Sequence, residues 1–196
     1  ATTEVKIENV TIEARTNPTN PQGSVFAGQT QESANPGVTI QVKETIENTP
    51  NGETTVTPTV VLSNTTIKNT VSESGGAAIS TPGDVTLINS TLTGNVAAQS
   101  GNAVAQDGGA IKAEGTVNVI SSALNGNTAT GNGGAISATT VIVSTATDSS
   151  NSQLNDNLAG GSGGAISVTG TVTVAQAEIS GNTVTNGNGG AISAAG

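Results

Sequence analysis

Short segments in which aliphatic and polar residues alternate recur along the chain from residue 85 onward. Each begins with a valine, and a second aliphatic residue follows two positions later. Successive side chains of a β-strand point to opposite faces, so this two-residue period predicts short strands with one buried face. The pairs are Val85 and Leu87, Val117 and Val119, Val141 and Val143, and Val172 and Val174.

A glycine-rich motif, Gly-Gly-Ala-Ile, precedes each of these segments. Its first glycines are separated by 33, 25, 30 and 26 residues, and the earliest copy, Gly75–Ser80, carries one extra alanine. Recurrence at this interval is typical of a solenoid. The four regular copies are Gly108, Gly109, Ala110 and Ile111; Gly133, Gly134, Ala135 and Ile136; Gly163, Gly164, Ala165 and Ile166; and Gly189, Gly190, Ala191 and Ile192.

A second motif alternates with the first. It consists of an aliphatic residue, two small or polar residues, and an asparagine, and the shortest complete repeat of both motifs is 25 residues long. Alignment of the repeats places the motif isoleucines in one column, the two members of each valine-led pair in two more, and the aliphatic residues of the second motif in a fourth. The second motif is bounded by Leu92 and Asn95, Leu124 and Asn127, Leu154 and Asn157, and Ile179 and Asn182.

These columns predict a right-handed parallel β-helix with coils of about 25 residues. One such repeat is too small to bury its own apolar face, but stacked repeats turn each aliphatic column into an internal ladder. The asparagine column fits amide ladders along the axis and left-handed turn geometry. The paired glycines fit positions that need a positive φ or a close approach of two backbones.

Residues 1–74 differ from the repeats in composition and predict irregular first coils and an N-terminal cap, with the repeat coils occupying residues 75–196. Val5 and Ile7, then Val10 and Ile12, alternate with polar residues, and the phase slips once between them, as at a bulge. The chain ends inside a repeat, so we expect it to be a fragment of a longer stack.

Composition supports a narrow interior and limits the partners. Phe26 is the single aromatic residue, the chain has no cysteine, and the net charge is -9. An acidic chain lacks the basic footprint of nucleic-acid binding and is repelled by sulfated polysaccharides and anionic membranes. No segment has the length and apolarity of a membrane span, so this fragment is not expected to cross a bilayer.

The sequence offers no pattern typical of catalysis, a metal site or a cofactor. Histidine is absent, and Arg15 is the single arginine. The acidic residues of the repeats occupy different positions in their units, so neither a carboxylate pair for glycoside cleavage nor a calcium-binding column is formed. We therefore expect no enzyme activity and no cofactor.

Two insertions lengthen the repeats, at Val96–Asp107 and Ser144–Gln153. Insertions in a solenoid form loops on its outside, where binding often occurs. These loops are the candidate receptor contacts, through Gln99, Asn102, Gln106, Asp107, Asp148, Asn151 and Gln153.

The pairing of the two motifs resembles the polymorphic membrane proteins of chlamydiae. That family repeats Gly-Gly-Ala-[Ile/Leu/Val] together with Phe-x-x-Asn, and the resemblance covers roughly residues 65–196. Here leucine or isoleucine replaces the phenylalanine, at Leu92, Leu124, Leu154 and Ile179.

The resemblance implies the passenger domain of an autotransporter that attaches to host cells. It implies a location at the bacterial surface or outer membrane, or secretion after processing, a host-cell receptor as partner, and self-association into a homo-oligomer. Two alternatives remain open on the sequence: a passive stalk that displays other parts of the passenger, and a module for self-association.

Overall fold

The computed structural model describes residues 4–13, 40–41, 45–49, 52–99, 104–147 and 149–196, and its regular elements are all β-strands. These strands are all two to five residues long, because a turn interrupts the chain every few positions. The strands are β1 (Glu4–Glu8), β2 (Thr11–Glu13), β3 (Ile40–Gln41), β4 (Thr45–Thr49), β5 (Gly52–Val56), β6 (Thr59–Ser63), β7 (Thr66–Lys68), β8 (Val71–Ser72), β9 (Ile79–Thr81), β10 (Val85–Ile88), β11 (Thr91–Thr93), β12 (Val96–Ala97), β13 (Ile111–Ala113), β14 (Thr116–Ile120), β15 (Ala123–Asn125), β16 (Thr128–Ala129), β17 (Ile136–Ala138), β18 (Thr140–Ser144), β19 (Ser152–Gln153), β20 (Leu158–Ala159), β21 (Ile166–Val168), β22 (Val172–Val174), β23 (Ala177–Glu178), β24 (Thr183–Val184) and β25 (Ile192–Ala194).

Four parallel sheets run along the stack, and each of the coils that follow β2 and precede β25 contributes one strand to each of them. Sheet 1 has the order β1-β6-β10-β14-β18-β22, sheet 2 β2-β7-β11-β15-β19-β23, sheet 3 β8-β12-β16-β20-β24, and sheet 4 β3-β9-β13-β17-β21-β25. β1 and β2 join sheets 1 and 2, and β25 joins sheet 4. The chain passes from sheet 4 through sheets 1, 2 and 3 and then begins the next coil. The predicted parallel β-helix is confirmed, and its right-handed sense stays a prediction.

The strand register reproduces the aliphatic columns that the sequence predicted. Ile111 pairs with Ile79 and Ile136, Val117 with Val85 and Val141, and Leu92 with Leu124. The isoleucine and leucine side chains of these columns are fully buried in the interior coils, while the residues between the columns face outward. The core is therefore a set of ladders in which each side chain packs on its counterpart one coil away.

The N-terminal segment contributes strands to the same sheets. β1 pairs with β6, so that Val5 lies beside Val60 and Ile7 beside Leu62, and β2 pairs with β7. The prediction of a bulge is wrong: Asn9 has φ 55° and forms the corner at which the chain leaves sheet 1 for sheet 2. The division of the chain near residue 74 stays a prediction, and Phe26 and Arg15 lie outside the described residues.

Two insertions next to sheet 1 interrupt the regular coil. An antiparallel hairpin, β4 and β5, is inserted between β3 of sheet 4 and β6 of sheet 1. The loop at 145–151 is inserted between β18 of sheet 1 and β19 of sheet 2. One insertion therefore precedes a strand of sheet 1 (β6), and the other follows a strand of sheet 1 (β18).

Candidate functional site

The asparagines of the second motif form a buried ladder at the corner between sheets 2 and 3. The Nδ2 of Asn95 donates to Oδ1 of Asn127 at 3.0 Å, Asn127 repeats the contact with Asn157 at 3.1 Å, and Asn157 with Asn182 at 3.0 Å. Each Oδ1 also accepts the backbone N–H of the preceding asparagine in the ladder. In the interior of the stack these amides satisfy backbone groups that would otherwise be buried without partners, which is a structural role.

The same amides tie each coil to the one before it. Nδ2 of Asn127 donates to the carbonyl of Leu92 at 3.0 Å, and that of Asn157 to the carbonyl of Leu124 at 2.9 Å. Thr70 takes the first place in the ladder, where its hydroxyl donates to Oδ1 of Asn95 at 2.7 Å. The predicted amide ladder is confirmed.

The left-handed backbone conformation at this corner was expected at the ladder asparagines, but it occurs one residue earlier. The residue before each ladder asparagine has a positive φ, and the ladder asparagines themselves do not. Glycine, asparagine and aspartate tolerate this conformation best, which explains their choice here. The residues are Asn69, Gly94, Gly126, Asp156 and Gly181.

A second buried ladder went unrecognised in the sequence. The backbone N–H of Ser90 donates to Oγ of Ser122 at 3.0 Å, and that of Ser122 to Oγ of Ser152 at 3.2 Å. Each hydroxyl donates in turn to a carbonyl near the end of the preceding sheet 1 strand, as Ser90 does to Ile88 at 2.8 Å. The signal in the sequence is a serine two residues before each of the three motif leucines, with Thr65 in the same position before Ile67. Ala177 takes this position before Ile179, so the ladder ends at Ser152.

The two glycines of the first motif have separate roles. Gly133 has φ 67°, a conformation that side chains rarely adopt. At Gly134 a Cβ would collide with the carbonyl oxygen of Gly164 in the next coil, so the second glycine permits close approach of the coils. Both predicted roles are confirmed. In the earliest copy Gly76 takes the positive-φ position and Ala77 the second one, which accounts for the extra residue.

The residue before each double glycine belongs to a column of backbone caps. The N–H of Asn132 donates to Oδ1 of Asp107 at 2.7 Å, that of Ser162 to Oδ1 of Asn132 at 2.8 Å, and that of Asn188 to Oγ of Ser162 at 3.1 Å. The sequence predicts no calcium-binding column here, because aspartate does not recur at this position. The structure shows why its residue types vary, since any short side chain with an acceptor oxygen caps the next N–H.

The candidate contact residues lie in different environments. Gln99, Asn151 and Gln153 are exposed, and Asp107 is half-buried. Gln106 is 8% exposed, and its Nε2 donates to the carbonyl of Val104 at 3.1 Å, so its side chain stabilises the turn. Asn102 and Asp148 lie outside the described residues.

The two insertions lie at different corners of the coil. The first follows β12, whose Val96 and Ala97 pair with both neighbouring coils. Ala98 still donates its N–H to the carbonyl of Ser72 at 2.9 Å, so the inserted part begins at residue 99, at the corner between sheets 3 and 4. The second is closed at its base by a hydrogen bond from the N–H of Ser152 to Oγ1 of Thr145 at 3.4 Å. Going round the coil, the two corners are opposite each other, so the structure separates the two predicted loops.

Charge is sparse on this surface. In the described ranges, no group of three or more acidic residues lies together as a candidate metal site. Lys6 and Glu8 form an ion pair of 2.8 Å on the outer face of β1, and the hydrogen bond and charge of Glu8 raise the pKa of Lys6. No helix among the described residues has the length and apolarity needed to cross a membrane.

Comparison with known proteins points to one family at one repeat. Residues 121–139 match the family model of the Chlamydia polymorphic membrane protein (Chlamydia_PMP) repeat. The matched segment runs from the serine ladder through Leu124 and Asn127 to the double glycine and Ile136, which is a stretch without insertions. No curated protein and no solved structure matches the chain. The chain therefore carries one repeat of this type within a parallel β-helix.

Proposed function

We propose that this chain is passenger material of a bacterial surface adhesin, displayed at the outer membrane or released after processing, and that it attaches to host cells through its outer loops. The observation that carries the proposal is the polymorphic membrane protein repeat at residues 121–139, which coincides with one stretch of a coil. On the sequence resemblance we further propose that the chain belongs to the autotransporter class and, within the family of polymorphic membrane proteins, to the D member.

The distribution of buried and exposed groups supports loops rather than motifs as the contact surface. Motif side chains such as Ile136 and Asn127 are fully buried and pack or hydrogen-bond to neighbouring coils. Residues 146–147 and 149–151 are exposed and connect two strands that pair with neighbouring coils, an arrangement typical of binding loops. The motifs would then be required for adhesion because they build the coil that presents the loop.

The test is binding of the purified chain to cultured epithelial cells. We expect saturable binding that falls at least about tenfold in affinity when residues 145–150 are removed, since tenfold corresponds to about 1.4 kcal/mol of contact energy. The shortened chain keeps Asn151 in the corner position that Asn89 occupies in an ordinary coil. Ser137→Ala, on the outer face of sheet 4, serves as the matched control and should bind as the unmodified chain does.

The second candidate function is a passive stalk, and the continuous hydrogen-bonded ladders favour it. The ladders connect each coil to its neighbours along the axis, as a stalk requires. The described residues include no cluster of exposed aromatic or arginine side chains of the kind that dominates binding energy. Under this alternative, folded protein shows no saturable binding to cells. Equal binding by the unmodified and shortened chains would instead place the adhesive surface outside the loop at 145–150.

A further inference from the structure

The outer face of sheet 1 carries a continuous apolar patch. Val61 and Ile142 lie between two buried positions, and Ile88 and Ile120 each follow a buried position, so all four face outward. Ile142 is 37% exposed, and the other three are half-buried. Ile88 pairs directly with Ile120. Val61 lies in the coil before Ile88 and pairs with Thr86, so it is diagonal to Ile88. Ile142 lies in the coil after Ile120 and pairs with Asn118, so it is diagonal to Ile120. Side chains in direct and diagonal positions of a sheet are within reach of one another, so the four residues form one surface.

This patch is uncharged in a strongly acidic chain. The other outward residues of β6, β10, β14 and β18 are threonine, serine and asparagine. Two copies of a chain with net charge -9 repel each other over most approaches, but contact through this face brings no charged strand residues of these coils together. The face is therefore suited to a second copy of the same chain.

The order of the four residues makes the patch complementary to itself. Along the axis, Val61 and Ile142 occupy one column and the central pair, Ile88 and Ile120, the column two residues later. The pattern is thus the same when the direction of the axis is reversed. A two-fold axis parallel to the strands would place Val61 opposite Ile142 of the second copy and Ile88 opposite Ile120.

We propose that two copies of this chain associate face to face through sheet 1, with their coil axes antiparallel. Such a contact is isologous: both copies use the same surface, and when one residue contacts a second residue of the other copy, the reverse contact is also formed. This proposal gives the self-association alternative a defined surface and orientation, and it does not depend on attachment to host cells. Its partner is a second copy, and its chemistry is apolar packing between threonine-rich sheets about 10 Å apart.

The charged groups at the edge of the face select the antiparallel arrangement. β1 carries Glu4, Lys6 and Glu8 on its outer side, and in this arrangement Lys6 lies opposite Thr173. With parallel axes, the same face would bring Glu4 opposite Glu8 of the second copy. Ile88 would then lie opposite the exposed Asp84, whereas the antiparallel arrangement places Asp84 opposite the polar Thr116. Burial of a carboxylate against an apolar side chain is the less favourable of the two contacts.

The size of the face predicts a weak dimer. Four strands about 4.8 Å apart and five residues of about 3.3 Å each span roughly 300 Å² per copy. Stable interfaces bury about 800 Å² per partner. Association should therefore be visible in concentrated protein and be lost on dilution, as suits molecules crowded on a surface.

Sedimentation velocity over a range of concentrations tests the proposal. We expect a reversible monomer–dimer equilibrium, and the double variant Ile88→Thr with Ile120→Thr should raise the dissociation constant at least about tenfold. Threonine, like isoleucine, is β-branched and favours strands, so the variant should have the same melting temperature as the unmodified chain. Val71→Thr is the matched control, since Val71 is 41% exposed but lies on sheet 3. A chain that stays monomeric at every concentration, or a dimer unaffected by the double variant, overturns the proposal.

Thiol cross-linking tests the orientation, because the chain has no cysteine of its own. Thr59 and Thr140 occupy the same column three coils apart, so the antiparallel dimer places Thr59→Cys of one copy opposite Thr140→Cys of the other. A bis-maleimide spanning about 10 Å should join the mixture of the two variants but neither variant alone. Efficient joining of Thr59→Cys to Ser63→Cys instead would show parallel axes and overturn the arrangement.

Discussion

At the scale of single residues, short polar side chains stabilise the stack by hydrogen-bonding to the backbone of neighbouring coils. At the corner between sheets 2 and 3, an asparagine oxygen accepts the N–H of the coil before it, as Asn127 does from Asn95 at 3.0 Å. At the double-glycine corner the direction is reversed, and Asp107 accepts the N–H of Asn132 in the coil after it at 2.7 Å. Each coil thus depends on both neighbours for the pairing of its backbone groups, and the amides stabilise the stack instead of binding a ligand.

Substitution of Asn127 by alanine tests this role. The change leaves the N–H of Asn95 and the carbonyl of Leu92 without their present partners in a buried corner, so we expect the free energy of unfolding to fall by about 3 kcal/mol. Guanidinium unfolding measures the change. Asn118→Ala, at an outward position on β14, should alter stability by no more than about 0.5 kcal/mol. Equal losses in the two variants would show that the ladder contributes no more than an outward residue.

At the scale of elements, corners can absorb insertions while strands cannot. The loop at 145–151 leaves β18 and β19 in register with both neighbouring coils, and Ser152 still occupies its place in the serine ladder. Residues added at a corner cost little because closing a longer loop increases the entropy loss only slowly. The coil can therefore change its outer surface without disturbing its interior.

Removal of residues 145–150 should leave stability within about 1 kcal/mol of the unmodified chain. Asn151 then follows Ser144 directly, as Asn89 follows Ile88, and asparagine tolerates the positive φ of that corner. Adding Asn151→Val to the deletion should lower the free energy of unfolding by about 1–2 kcal/mol, because a β-branched residue is strained there. Thermal and denaturant unfolding of the two chains measure the difference, and identical stabilities would mean that the ordinary corner is not restored.

At the scale of the whole molecule, the protein behaves as a one-dimensional stack. Leu124 lies between Leu92 and the buried Leu154 and is itself fully buried, so its packing depends on both flanking coils. Ile179 occupies the same column in the last coil of this chain and is half-buried. Stability of such a stack is a sum over coils and the contacts between neighbours, so a cavity has its largest effect where a coil has two neighbours.

Alanine substitutions in this one column test that view. Leu124→Ala should lower the free energy of unfolding by about 3–4 kcal/mol, since it opens a cavity in a site that is closed on both sides. Ile179→Ala should cost about half as much, because part of the side chain is already exposed to solvent. Denaturant unfolding compares the two variants, and a larger loss at Ile179 would contradict the additive description.

The sequence by itself determined the architecture of the coil. The spacing of Ile111, Ile136 and Ile166, and the two-residue step from Val117 to Val119, predicted the parallel ladders that the strand register confirms. This information is local, because each strand and turn repeats its own residue types at a nearly constant interval. The same spacing predicted the asparagine ladder and the two glycine roles.

The tertiary structure decided what each polar position contacts and what faces outward. The phase slip at Asn9 is a change of sheet, and the left-handed residue is the one before each ladder asparagine, because the chain turns at corners that periodicity does not locate. Gln106, expected on a contact loop, is buried, while the outward patch of Ile88 and Ile120 arises from residues of two coils. Contacts between coils depend on their relative register, and that register exists only once the chain has stacked.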